Sequence, residues 1–206
     1  MKNNKKMIQK IGLGALVMGA MLLIGNAALA ADTSVWTTLS VSGTVTENVT
    51  LNVEEELRFS DITDPSLANQ RTDLSLGIKV NNFVGVSAGY LNTSSGEHRP
   101  YVGVGLSLLR GNISLDSSTK IELRDFDTVR GRTDLTASTD ISGVTPWITE
   151  ELFVDSTGIT GNRASLGVTR GINNTFSVNA FYMLDTAGTD FANSGHVVGL
   201  GLGVSL

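Results

Sequence analysis

Val198-Gly199-Leu200-Gly201-Leu202-Gly203-Val204-Ser205-Leu206 ends the chain, and its strict alternation decides how the rest is read. Successive side chains of an extended strand point to opposite sides, whereas a helix would scatter both sets around its axis. As a strand, the segment puts Val198, Leu200, Leu202, Val204 and Leu206 on one face and Gly199, Gly201, Gly203 and Ser205 on the other. One side suits lipid, the other a crowded interior.

The same pattern recurs upstream. Val102, Val104, Leu106 and Leu108 alternate with Tyr101, Gly103, Gly105 and Ser107, and Phe176, Val178, Ala180, Tyr182 and Leu184 alternate with Ser177, Asn179, Phe181, Met183 and Asp185. Further strands are expected at Val35 to Gly43, Asn48 to Phe59, Arg71 to Val80, Phe83 to Leu91, Ile113 to Arg124, Val129 to Thr139, Trp147 to Val154 and Thr160 to Arg170. Segments of about 10 residues with period two mark an outer-membrane barrel. The expected fold is all-β: a closed antiparallel transmembrane up-and-down β-barrel of about 10–12 strands. The segments number eleven, and because bacterial single-chain barrels have an even number, ten or twelve is the expected count.

Connections alternate in length. Tight turns at Thr44 to Glu47, Asn81-Asn82, Gly111-Asn112, Ser142 to Pro146 and Gly171 to Asn174 interleave with longer loops at Ser60 to Asn69 and Thr186 to Ser194. Asn and Gly at such turns are expected to supply positive φ. Pro65 falls in a loop, Pro100 and Pro146 near strand starts, where a missing donor is tolerated.

The first thirty residues have the layout of a cleavable leader. Lys2, Lys5, Lys6 and Lys10 precede an apolar run from Ile11 to Ile24, and Ala28-Leu29-Ala30 offers small residues for cleavage before Ala31. The apolar run falls short of the roughly 20 residues that span a bilayer. The expected organisation is therefore a signal peptide over 1–30 and one barrel over 31–206, exported to the outer membrane of a Gram-negative cell. Losing four lysines makes the mature chain more acidic than the net charge of −5 of the whole, which argues against a nucleic-acid partner. With no cysteine, an exported chain must gain stability from something other than disulfides, and barrel closure supplies it.

If the apolar face meets lipid, the other face carries Glu54, Glu56, Arg58, Arg71, Asp73, Lys79, Lys120, Glu122, Arg124, Arg130, Arg132, Asp134 and Arg163 into the lumen. An Arg or Lys facing lipid at the midplane costs about 2–4 kcal/mol, so energetics assigns these charges inward. Simple alternation points Glu55 at lipid, and the face of Glu150 and Glu151 is ambiguous. The lumen charges fit either a passage that orients a zwitterionic or polar solute or an internal salt-bridge network that plugs a narrow barrel. The plug is the preferred reading. Inward glycines leave space opposite long Arg and Glu side chains and ease curvature.

No catalytic residue, metal site or cofactor is expected. His98 and His196 are the only histidines, both near loop ends, and no serine is singled out as a nucleophile. The pairs Asp61 with Asp64 and Asp125 with Asp127 lack the ligand density of a calcium loop. Asn48-Val49-Thr50 and Asn112-Ile113-Ser114 match glycosylation acceptors, a pattern common by chance. Trp36, Trp147 and Tyr182 are candidates for interfacial girdles.

Val35-Trp36-Thr37, Leu51 to Phe59, Glu122-Leu123-Arg124 with Arg130 and Arg132, Glu150-Glu151-Leu152-Phe153 and the Arg163 to Gly167 strand together resemble the bacterial outer-membrane family called domain of unknown function 2490. The resemblance covers nearly the whole mature chain. It implies a barrel and an outer-membrane address and brings no activity. The final Leu206 departs from the aromatic ending of many outer-membrane barrels.

The expected role is a small outer-membrane barrel, either a narrow passive porin-like channel or a plugged structural protein, with lipid and the barrel-assembly machinery as partners. Two other classes differ in what they need. An outer-membrane enzyme would need a rim-located nucleophile and base, for which only two imidazoles exist. A soluble secreted ligand-binding barrel would put its apolar face inside and its charges in water.

Overall fold

The computed structural model describes residues 33–63, 65–187 and 194–206. The expected leader over 1–30 with its expected cleavage before Ala31, Asp64 of the Asp61 pair, and residues 188–193 of the connection before the last strand lie outside the described residues.

Eleven strands form one closed wall: β1 (Thr33–Thr46), β2 (Val49–Phe59), β3 (Leu67–Lys79), β4 (Val84–Thr93), β5 (His98–Leu109), β6 (Ser114–Arg124), β7 (Thr128–Ser138), β8 (Val144–Asp155), β9 (Gly158–Gly171), β10 (Phe176–Ala187) and β11 (Ser194–Ser205). Each predicted segment corresponds to one of them. The expectation of an even count is corrected. In a meander with an odd number of strands the first and last run the same way, and here β1 and β11 close the wall as a parallel pair from Thr33↔His196 to Ser42↔Ser205. A parallel ladder hydrogen-bonds every residue about as fully as an antiparallel one, so closure does not require an even number.

The odd count places the start of β1 and the end of β11 at opposite rims. The amino rim carries the connections 60–66, 94–97, 125–127, 156–157 and 188–193, and the carboxyl rim those at 47–48, 80–83, 110–113, 139–143 and 172–175. Only 60–66 and 188–193 make the amino rim longer, so the expected asymmetry rests on two connections. Positive φ occurs at Asp125, Phe126, Ser142, Gly96, Gly143 and Gly158, and at no asparagine among the described residues. Asn81 and Asn173 turn the chain with their side chains instead. Asn81 Oδ1 accepts the N–H groups of Phe83 (2.7 Å) and Val84 (2.9 Å), and Asn173 Oδ1 those of Thr175 and Phe176 (2.8 Å each).

Leu74, Val102, Val104, Leu135, Ile148, Leu200 and Leu202 are exposed on the outer face, while Glu56, Arg71, Asp73, Glu122 and Glu151 are buried. That sidedness is the reverse of what the soluble ligand-binding barrel needs. Glu55 stands on the outer face, where Thr72 Oγ1 donates to its carboxylate at 2.7 Å. The ambiguous pair resolves as Glu150 outward and exposed, Glu151 inward and buried.

Both tryptophans depart from the expected girdle and lie inside. Trp36 is buried with Met183 and Val197, and Trp147 donates its indole N–H to Thr169 Oγ1 at 3.2 Å and packs 6.2 Å from the Phe181 ring. Tyr182 does face outward at the amino-rim end, its hydroxyl 2.5 Å from His196 Nδ1, and Tyr90 pairs likewise with His98 at 2.6 Å. The interior rings are seated on glycines. Register partners are Tyr101 with Gly89, Trp147 with Gly167, Phe153 with Gly161 and Phe181 with Gly199. At these four inward glycines the space is therefore taken by aromatic rings, not by Arg and Glu as expected, whereas Gly201 and Gly203 face Asn179 and Ser177. Flat rings fill that space without strain.

Candidate functional site

The interior is divided along its axis, and its amino-rim half is filled by charges and rings. Its convergence is fixed by one contact: the Arg163 guanidinium of β9 lies 5.2 Å from the Trp36 ring of β1, although β10 and β11 separate those strands in the wall. Arg58 stacks on the same ring at 3.7 Å. Guanidinium planes lie well on aromatic faces because their charge is delocalised and weakly hydrated.

Around this contact the carboxylates are matched with arginines. On β2 and β3, Arg58 is 2.6 Å from Glu56, and Arg71 reaches Glu56 at 3.7 Å and Glu54 and Asp73 at 3.8 Å each. Tyr101 donates its hydroxyl to Asp73 at 2.8 Å. On the opposite wall Arg130 holds Glu122 at 2.5 Å, Arg132 pairs with Glu151, and Arg163 bridges Glu151 (3.3 Å) and Asp185 (3.0 Å). The guanidinium groups of Arg130, Arg132 and Arg163 surround Phe153 at 4.9, 5.8 and 4.8 Å. Glu122 is 1 % exposed, a burial that an ionised carboxylate tolerates only with partners of this quality.

At the amino rim, Glu97 in the 94–97 connection takes hydrogen bonds from Arg99 and Arg124. Burial alone would push its carboxyl up, but the two guanidinium hydrogen bonds and charges more than reverse this, to about 2.

Of the residues expected in the lumen, Glu54, Glu56, Arg58, Arg71, Asp73, Glu122, Arg130, Arg132 and Arg163 are gathered in this layer, with Arg124 at its rim. Lys120 lies just below, its ammonium 4.5 Å from the Tyr101 ring. Lys79 and Asp134 line a cavity that opens at the carboxyl rim, with Asp134 in electrostatic reach of Arg132 and Lys120. Sequence reasoning did not single out Glu97, Arg99, Glu151 or Asp185 as partners. Glu151 was hidden because two adjacent acids give alternation no contrast, while Asp185 was already on the inward face of its segment.

What remains of the interior is lined by small residues, including Ser87, Gly105 and Ser118, and by the charged Lys79, Arg110, Asp116 and Asp134, and opens at the carboxyl rim as a cavity of about 520 Å³. Among the described residues no group of three His, Asp or Glu is placed to hold a metal ion.

This geometry defines a class: a closed, nearly all-antiparallel β-barrel with an apolar outside and an ion-filled interior. Residues 33–192, spanning β1 to β10, match the family model described as Protein of unknown function (DUF2490), and the chain belongs to that family. No curated protein matches it.

Proposed function

We propose that this chain is an outer-membrane barrel, exported behind the leader at 1–30 and cut before Ala31, whose role is structural and whose lumen is closed in its amino-rim half. The observation that carries the reading is the sidedness of the wall. Soluble proteins rarely expose apolar patches beyond a few hundred Å², whereas here apolar side chains are exposed on most strands. A lipid belt accounts for that exposure, and closure leaves the wall without an edge of unpaired backbone groups.

The ion and ring layer supports closure over conduction. In a narrow interior of low dielectric, paired charges hold each other more strongly than in water and leave little for a solute. The longest connections lie on the amino rim, which in this reading faces the outside, with the carboxyl rim toward the periplasm and the assembly machinery meeting β11. The test is fractionation followed by gel migration with and without boiling. Recovery in the outer membrane, a band that shifts on boiling and an amino terminus at Ala31 agree with the reading. Recovery as a soluble periplasmic protein would overturn it.

A further inference from the structure

We infer that the carboxyl-rim half of the lumen is a binding cup for small zwitterionic solutes, with the ammonium end held by Asp116 and Asp134 and the acidic end by Lys79 and Arg110. The inference rests on the closed-lumen reading, which makes the cup blind at its inner end. Its volume, about 520 Å³, lies in the range of small-molecule sites.

The carboxylates of the ion layer are each held in an arginine ion pair, but those in the cup are in none: Asp134 is hydrogen-bonded by Ser118 and attracted by Arg132 and Lys120 from beyond ion-pair distance. Asp116 and Asp134 line the cavity and make no ion pair among the described residues. Ser107 donates to Asp116 at 2.7 Å, and Arg110 donates to that serine at 2.9 Å, so Asp116 is oriented by a neutral group with a cation one step behind it.

Depth separates Asp134 from the cations at the mouth, while Arg110 and Asp116 meet at the same serine. Asp134 is the seventh of eleven residues of β7, near mid-wall, and Asp116 is third in β6 from the carboxyl rim. Lys79 is the last residue of β3 and Arg110 lies in the turn before β6, both at the mouth. Glu47 shares that mouth, so the acidic end of a solute meets two cations against one carboxylate. Low-dielectric walls focus such fields. A simple cation entering the cup is repelled at the mouth and a simple anion at depth, so a solute carrying both charges is favoured over either. The walls leave room: a Cβ built at Gly105 would meet nothing within 4 Å.

The experiment is titration calorimetry on the full chain in lipid nanodiscs with 4-aminobutanoate, butylamine and butanoate. We expect saturable heat with 4-aminobutanoate and binding weaker by about tenfold or more for the other two, each of which lacks one charged contact. The double variant Asp116→Asn, Asp134→Asn keeps the shape of the cup and should weaken 4-aminobutanoate by about tenfold, with folding checked by the migration shift. No saturable heat, equal affinity for all three solutes, or an unchanged double variant would each overturn the proposal. Conductance of the same sample separates it from closure: a conducting protein that still binds overturns closure alone, and a silent one that does not bind overturns the cup alone.

Discussion

Gly199 of β11 lies directly across the ladder from Phe181 of β10, and the phenylalanine ring occupies the place where a Cβ of residue 199 would stand. The same relation holds between Gly167 and Trp147, where a Cβ would fall 2.5 Å from the indole. These interior rings and the glycines opposite them are thus one packing device. Gly199→Ala should destabilise the barrel by about 1–3 kcal/mol, the usual cost of overpacking. Adding Phe181→Ala should recover part of that loss, which denaturant titration in detergent measures as a non-additive double-variant cycle.

Glu151 is shared by Arg132 and Arg163 beside Phe153, so the ion layer depends on it for two cations at once. Removing one partner of a buried pair costs about 3–5 kcal/mol when the other charge is left uncompensated. Glu151→Gln should approach that loss, because Arg132 then loses its ion-pair partner and Arg163 keeps only Asp185. Glu150→Gln, one residue away on the exposed outer face, should leave stability within about 0.5 kcal/mol of the parent. Equal effects at the two positions would contradict their assigned faces.

Leu202 is exposed on the outer face and Gly201 faces inward. Leu202→Arg should cost about 2–4 kcal/mol for a site near the midplane. Gly201→Ser should cost less, since the atoms a Cβ would meet belong to the mobile end of Asn179. The order of the two unfolding midpoints in lipid vesicles checks this, and the reverse order would exchange inside and outside.

Glu97 has a folded pKa depressed to about 2 from an ordinary value of 4.5. A depressed carboxyl contributes stability that is fully present above the unfolded pKa and is lost as pH falls through the folded one. The stability difference between the parent and Glu97→Gln should therefore be constant above about pH 5.5, shrink between about pH 4.5 and 2, and vanish below. Unfolding midpoints measured across that range test it.

All eleven strands were legible because each carries an apolar face that alternates with small or charged residues, the one pattern that survives in a barrel wall. Their number misled only through the even-count rule, which parallel closure of β1 on β11 evades. Tryptophans 36 and 147 were misplaced because an aromatic residue satisfies both a girdle and a glycine-backed interior, and alternation around each is weak. The inward charges were legible singly, but their partners were not. Which arginine meets which carboxylate depends on the ladder register between neighbouring strands, as with Glu122 opposite Arg130 and Arg163 opposite both Glu151 and Asp185, and contacts such as Arg163 of β9 with Trp36 of β1 depend on closure of the wall; no local pattern encodes either.

Closure of the amino-rim half is tested most directly by current through the full chain in a planar bilayer, before and after replacing Arg130 and Arg132 together by Ala. Those two arginines hold Glu122 and Glu151 and flank Phe153. The native protein should pass little or no current. The double variant should pass small, cation-preferring currents at a cost in stability, because it removes bulk and leaves carboxylates that draw in water. Large, steady native currents that the double substitution leaves unchanged would contradict the account and show that the lumen was open from the start.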